Sequence, residues 1–268
     1  MRTKEIIVSL SGTIGTAPYE NYKPGFSITM ELIDGDDEEL AFQKARDTLR
    51  NLMQQEVNRA KVDLIEKQYS NMRFRERNGK KYPSVTSILN WDKEWAVTED
   101  QLRQYASRGT IVHKILEIYL KEGKWVDPNE VKELKEDIAI LMGGSMGFHW
   151  NDCSYKAFME KHRELITVEM LEKEIYNDEL LYSGRYDIKG MYDGKKSIMD
   201  FKTGTSWDMR QLAAYAICEP DIEQLVILPV GATTNKCGYT KPIICNMIQN
   251  EFKEFAKARA KFKERFGI

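Results

Sequence analysis

The stretch Gly184-Arg-Tyr-Asp187-Ile-Lys-Gly-Met-Tyr-Asp193-Gly194-Lys-Lys-Ser-Ile-Met-Asp200-Phe-Lys202-Thr-Gly204 decides the fold of this chain. Strand-like residues run on both sides of Asp193-Gly194, a pair that closes tight antiparallel hairpins because both positions accept left-handed backbone. With that pair as the turn, Asp187 falls directly opposite Asp200, with Cβ atoms about 4.5–5.5 Å apart. Lys202 lies two residues beyond Asp200 and so shares its face. Opposed carboxylates repel and weaken a ladder. A divalent cation offsets the repulsion, because hard ions such as Mg²⁺ take carboxylate oxygens. The lysine can then orient or deprotonate a water, its pKa lowered by the cation and by partial burial. Such a set suits metal-assisted hydrolysis of a phosphodiester. The competing reading is an exposed hairpin with interleaved charges.

Around this hairpin the pattern is rich in strands, with runs at 167–176, 182–192 and 196–202. A short helix at 208–217 follows, then strands at 224–230 and 239–245 and a last helix at 247–266. Upstream, Thr98-Glu-Asp-Gln101 fits a capping box that opens a helix reaching Lys121, with Gly123 as its terminator. Further helices are expected at 129–142, before the break Met142-Gly-Gly-Ser-Met-Gly147, and at 154–164. Helices flanking a mixed sheet make the fold α/β or α+β.

Residues 4–10 and 26–32 read as strands, and apolar Leu40, Ala41, Ala45, Leu49 and Leu52 recur at helical spacing within a charged helix at 37–69. Residues 1–70 thus form a β-β-α module that precedes the remainder, 71–268, and no chemistry is assigned to it. Next, Met72-Arg-Phe-Arg-Glu-Arg77 and Lys80-Lys-Tyr-Pro-Ser-Val85 flank Asn78-Gly79, a hairpin signal. Arg73, Arg75 and Arg77 alternate onto one face, and Lys80 and Lys81 add charge. This is either a phosphate-contacting ribbon or an edge blunted by charge.

Lys and Arg number 40 and Asp and Glu 42, for a formal charge of −2, which excludes a globally basic nucleic-acid binder but not a basic patch. No apolar run approaches a membrane span of about 18 residues or more, and the N-terminus lacks a signal-peptide core. A soluble cytoplasmic protein is expected. Cys153, Cys218, Cys237 and Cys245 form no C-x-x-C pair, so scattered free thiols are expected, although distant cysteines can converge on zinc or an iron–sulfur cluster.

Asp187 followed by Asp200-Phe-Lys202 resembles the signature of the PD-(D/E)XK nuclease superfamily, closest to its RecB-like branch of phage recombination and CRISPR-associated exonucleases. Gly184-Arg-Tyr-Asp187 is similar to the family's G-x-x-D, Asp200-Phe-Lys-Thr-Gly204 to its D-x-K-T-G, and Gln211-Leu-Ala-Ala-Tyr215 to its Q-x-x-x-Y. Arg108-Gly109-Thr-Ile-Val-His113 resembles the helical G-x-x-x-H segment, and Tyr82-Pro-Ser-Val-Thr-Ser-Ile-Leu89 a segment that precedes it in phage members. The resemblance covers about residues 82–230. It implies a restriction-endonuclease-like core and a Mg²⁺- or Mn²⁺-dependent deoxyribonuclease. An exonuclease of phage or prophage DNA recombination, in a bacterial host and with a possible recombination partner protein, is the expected member.

The resemblance also implies roles. Asp187, Asp200, the Phe201 carbonyl and His113 would ligate the metal, and Lys202 would be the catalytic lysine. On residue pattern alone, His113 would instead pair with Glu117, one helical turn on. Glu172 or Glu174 would be the accessory acid, with Glu172 preferred. Gln211 and Tyr215 share a helix face and would brace the lysine or touch the DNA backbone, unless they merely pack. Relatives with an iron–sulfur cluster place one cysteine before the histidine helix and three together near the C-terminus. This chain departs from that pattern, so no cluster is expected. Two other functions fit the same residues: a catalytically silent DNA-end or partner-binding module, and a hydrolase of RNA. In the last helix Lys253, Lys257, Lys261 and Arg265 form a basic stripe, solvated or phosphate-tracking, while Phe252, Phe255, Phe262 and Phe266 read as core.

Overall fold

A computed structural model of the chain describes residues 4–17, 20–33, 35–69, 72–93, 96–232 and 236–268, with side chains omitted at 16, 17 and 20. The fold is mixed α/β, with a five-stranded mixed sheet. The chain divides into two compact units: Met1–Ser87 with Ala260–Ile268, and Ile88–Arg259.

In the first unit, β1 (Lys4–Ser11) is followed by β2 (Ile14–Ala17), β3 (Glu20–Tyr22) and β4 (Gly25–Leu32). β1 pairs antiparallel with β4, and β2 with β3. The β2–β3 ribbon falls in a Gly-, Pro- and Tyr-rich stretch that carries no strand alternation. The helix α1 (Glu38–Gln68) starts where Asp37 accepts the Leu40 N–H, satisfying a donor the helix leaves open. It buries Ala41, Ala45 and Leu49, as the spacing predicts, and leaves Leu40 and Leu52 exposed. The strands β5 (Phe74–Arg77) and β6 (Lys80–Pro83) pair with Arg77 opposite Lys80 across Asn78 (φ 54°) and Gly79 (φ 72°), the left-handed turn that Asn-Gly favours. The second strand stops at Pro83, and Val85 opens α2 (Val85–Asn90).

The second unit is built on α3 (Glu99–Glu122), whose capping box forms between Thr98 and Gln101. After two 3-10 turns come α4 (Lys135–Gly143) and α5 (Tyr155–His162). The sheet follows: β7 (Ile166–Asn177), β8 (Tyr182–Tyr192), β9 (Lys195–Lys202), then α6 (Met209–Ala216), β10 (Gln224–Pro229) and β11 (Ile243–Cys245). Their order is β11-β10-β9-β8-β7. β7, β8 and β9 form an antiparallel meander, while β10 returns parallel to β9 through α6. The last helix is α7 (Ile248–Phe266). The strand expected at 239–245 is shorter, beginning at Ile243.

Ile111, Val112, Ile115 and Leu116 of α3 pack with Ile188, Met199, Phe201, Val226 and Leu228 of the sheet in one core. Tyr182 donates to the Ala214 carbonyl of α6 at 2.8 Å and meets the Phe255 ring of α7 edge-on at 4.9 Å. Phe255 and Phe262 are fully buried, in line with the apolar reading of that helix. Glu219, just past α6, is buried but accepts from Lys173 (2.6 Å), Lys189 (2.7 Å) and Tyr186 (3.0 Å). Burial alone would raise its carboxyl pKa, and these donors hold it below the usual range. The network ties α6 to β7 and β8.

β7 carries a bulge between Val168 and Met170, opposite Gly190. A Cβ at Gly190 would lie 1.8 Å from the Thr167 carbonyl oxygen, so the bulge needs the bare backbone. Gly190→Ala is expected to destabilise the fold by about 1–3 kcal/mol or more, read as a lower denaturation midpoint. An unchanged midpoint would mean that β7 can move away at little cost.

Candidate functional site

The hairpin turn forms at Asp193 (φ 49°) and Gly194 (φ 76°), and the ladder runs in the expected register from Tyr192↔Lys195 to Ile188↔Met199. It stops one step short of Asp187 and Asp200. In place of a ladder bond, the Phe201 N–H donates to Asp187 Oδ2 at 2.6 Å. The physical reason is the repulsion noted from sequence: two carboxylates in a closed pair would face each other without compensation. Here the backbone of β9 instead offers an N–H to one of them.

Asp187 Oδ2 also lies 3.3 Å from His113 Nδ1 of α3. Burial of Asp187 opposes its charge, but His113, Lys202 and the Phe201 N–H outweigh it and hold the carboxyl below the usual range. The converse holds for His113. Burial would lower its pKa, yet Asp187 foremost, with Asp200, pushes it up to about 9. The helix pairing with Glu117 does not occur. Glu117 is taken by Lys114 at 3.0 Å and by Lys121.

Glu172 sits on β7 between Leu171, which pairs with Ile188, and Lys173, which pairs with Tyr186. It is therefore abreast of Asp187. Its backbone is left-handed at φ 52°, a strained state for a non-glycine residue, costing of order 1–3 kcal/mol. Its carboxylate meets Arg185 Nε at 2.9 Å. Burial first, then the Asp187 charge, raises its pKa to about 7 against the opposing pull of Arg185 and His113. One ligand atom each from His113, Glu172 and Asp187 lies within 4.8 Å of the others. This is the one group of three or more His, Cys, Asp or Glu residues among the described residues close enough to hold a metal ion. Glu174 is exposed and accepts from Tyr176 Oη at 2.9 Å, because the left-handed residue breaks the strict alternation that would put it beside Glu172.

Asp200 is buried and its Oδ2 makes no well-directed hydrogen bond; it lies 2.5 Å from Lys202 Nζ as an ion pair. Burial and the neighbouring Asp187 outweigh that lysine and raise its pKa. The sequence reading expects a bound cation and partial burial to depress Lys202, and of these only burial acts before an ion binds. Burial does oppose its charge, but Asp200 at 2.5 Å, helped by Asp187 and Asp208, wins and raises it. Lys202 Nζ also donates to Gln211 Oε1 at 3.2 Å, and Gln211 Nε2 donates to Tyr215 Oη at 2.9 Å. The helix α6 thus braces the lysine. Its ring at Tyr215 fits only because residue 184 has no side chain, since a Cβ there would lie 2.2 Å from the ring. Phe201 stacks edge-on against His113 at 5.9 Å.

The sequence pattern gives Arg108 no role of its own. It is buried, donates from Nη2 to the Thr203 carbonyl at 3.3 Å, and lies 4.4 Å above the Phe148 ring. It thereby clasps the segment after Lys202 to α3. Only the position of Arg108 five residues before His113 hints at this.

The basic hairpin belongs to the first unit. Pairing puts Arg75, Arg77 and Lys80 on one face with Tyr82, and Arg77 and Lys80 lie 5.5 and 5.3 Å from its ring. Arg73 precedes the strand. Lys81 points the other way and is held by Asp63 (2.8 Å) and Glu66 (2.7 Å), so it is committed to α1 rather than offered to phosphate. In the basic stripe of α7, Lys257 pairs with Glu254 at 2.6 Å. None of the cysteines is in a disulfide; Cys153 is buried, Cys218 and Cys245 half-buried, and Cys237 exposed. Among the described residues no helix is long and apolar enough to cross a membrane. No protein-family model matches the chain, and no curated protein matches it.

Glu172 and His113 bind protons more tightly in the folded chain than in the unfolded one. Their contribution to stability is present below their unfolded values and fades as pH rises, through about 7 for Glu172 and about 9 for His113. With EDTA present, the melting temperature is expected to fall as pH rises between about 5 and 8. Glu172→Gln should flatten the lower part of that fall. A wild-type profile that rises across this range would refute the assignment.

Proposed function

We propose that this chain is a metal-dependent deoxyribonuclease with a restriction-endonuclease-like core of the PD-(D/E)XK kind. It acts as an exonuclease that hydrolyses phosphodiester bonds of DNA in phage or prophage recombination and processing. The observation that carries the reading is convergence. His113 from α3, Glu172 from β7 and Asp187 from β8 bring ligand atoms within 4.8 Å of each other, and Asp200 with Lys202 follows on the neighbouring strand at 2.5 Å.

Buried carboxylate oxygens joined by an imidazole form a hard to borderline donor set without thiolate, which fits Mg²⁺ or Mn²⁺. The buried Asp200 oxygen without a well-directed partner fits the same need. His113, Glu172, Asp187 and Asp200 would hold the ion, with the Phe201 carbonyl added by the family pattern. When bound, such an ion polarises the phosphate and neutralises its developing charge.

The remaining chemistry belongs to the chain. Before an ion binds, Asp200 raises the pKa of Lys202 and favours its ammonium form. In that form it donates hydrogen bonds that orient a water or a phosphate oxygen. Gln211, itself tied to Tyr215, fixes the direction of that ammonium. Arg108 fixes the backbone one residue further on. DNA would meet Arg73 and the Arg75, Arg77 and Lys80 face of the basic hairpin through its phosphates.

The test is hydrolysis of end-labelled linear single- and double-stranded DNA with Mg²⁺, Mn²⁺ or EDTA. Cleavage should need the metal, and Lys202→Ala and Asp200→Ala should each lower it by about 10²–10⁴-fold. Full metal-dependent activity in either variant would overturn the proposal. A folded wild-type chain that binds DNA but leaves it intact with every metal would favour the silent binding module.

A further inference from the structure

We propose a second nucleic-acid site within the first unit: a pocket between α1 and the Asn78-Gly79 turn that takes one unpaired nucleotide of a DNA strand. The inference rests on the nuclease reading for its choice of DNA, and on separate residues for its geometry.

The helix α1 places Asn51, Gln54, Gln55 and Asn58 at successive spacings of three, one and three residues, which puts all four amides on one face. That face and the turn residue Gly79 border an open pocket of about 250 Å³. Arg59 and Lys80 supply charge at its wall, and buried Val62 is the single aliphatic side chain of the lining. Lys81 also borders it but is neutralised by Asp63 and Glu66.

Each feature narrows the ligand. Amides offer donors and acceptors together, the pattern that pairs with base edges; Asn and Gln meet adenine in this way. No carboxylate lines the cavity, and Arg59 and Lys80 favour an anion beside the base. A protein partner would need aromatic or aliphatic anchors, which a lining with one buried valine does not provide. The volume falls below the about 300–1,000 Å³ of most small-molecule sites, which suits a single base with its phosphate. A pocket of this volume holds one base but not a base pair, so the base must be unpaired. Gly79 adds no side chain to the lining.

The intramolecular bond Gln54 Nε2 to Asn58 Oδ1, at 3.1 Å, pre-orients two of the amides. It leaves the Asn58 amino group and the Gln54 carbonyl as donor and acceptor for a base edge.

The experiment measures binding of fluorescein-labelled dA, dT and dC 12-mers and of a hairpin duplex to the full chain, in EDTA so that nothing is cleaved. Single strands should bind more tightly than the duplex, with dA favoured. Asn51→Ala with Gln55→Ala should weaken dA binding by about tenfold and level the three homopolymers. Both positions are exposed and helical, so alanine there should not lower the thermal melt. Lys80→Ala should weaken all strands alike and reduce the slope of log Kd against log salt by about 0.7. Unchanged affinity and base ranking in the folded double variant would overturn the site while leaving the nuclease proposal intact. Equal or tighter binding of free dAMP than of the strand would overturn the assignment to a strand. A wild-type chain that shows this base-dependent binding but never cleaves would remove the nuclease reading and keep the pocket.

Discussion

A buried negative charge at Asp187 is the constraint on which the rest of the second unit depends. A carboxylate taken out of water is costly unless it is paired and hydrogen-bonded. Asp187 stays ionised because one oxygen accepts the Phe201 N–H at 2.6 Å and faces His113 at 3.3 Å. The first contact requires the β8–β9 ladder to stop before Asp187. The second requires α3 to lie over the sheet in one rotational setting, which its apolar stripe of Ile111, Val112, Ile115 and Leu116 supplies.

A second layer of residues holds the lysine. Asp200 pairs with Lys202, Gln211 accepts from it, Tyr215 braces Gln211, and Arg108 grips the next carbonyl along the chain. Strain at Glu172 belongs to the same arrangement. A left-handed glutamate in the middle of a strand persists only where its surroundings impose it. Here it brings a third carboxyl group to the cluster. Charge, strain and an interrupted ladder thus meet at one place, where a sequence built only for stability would avoid all three.

Much of this was legible in the sequence because the governing signals are local. Asp193-Gly194 set the hairpin and its register, Thr98 with Gln101 marked the start of α3, and Gln211 and Tyr215 fell on one helix face. What local reading missed depends on contacts between distant segments. The ladder's early end follows from repulsion resolved by a backbone N–H, which pair counting does not reveal. The raised pKa of Lys202 follows from a 2.5 Å approach of Asp200, a distance that alternation alone does not give. From sequence Lys81 is either a phosphate contact or an edge charge, and its pairing with Asp63 and Glu66 of α1 is a contact between distant segments. The β2–β3 ribbon lacks alternation, so its strands arise from pairing rather than from pattern.

The central claim is that His113, Glu172, Asp187 and Asp200 form one divalent-cation site. Its most direct test is electron paramagnetic resonance of Mn²⁺ titrated into the wild-type chain and into Asp187→Asn. The account predicts one saturable Mn²⁺ per chain, displaced by excess Mg²⁺, and lost or greatly weakened in the variant although the protein remains folded. Mn²⁺ that stays free in the wild type, or binds the variant equally well, would contradict it.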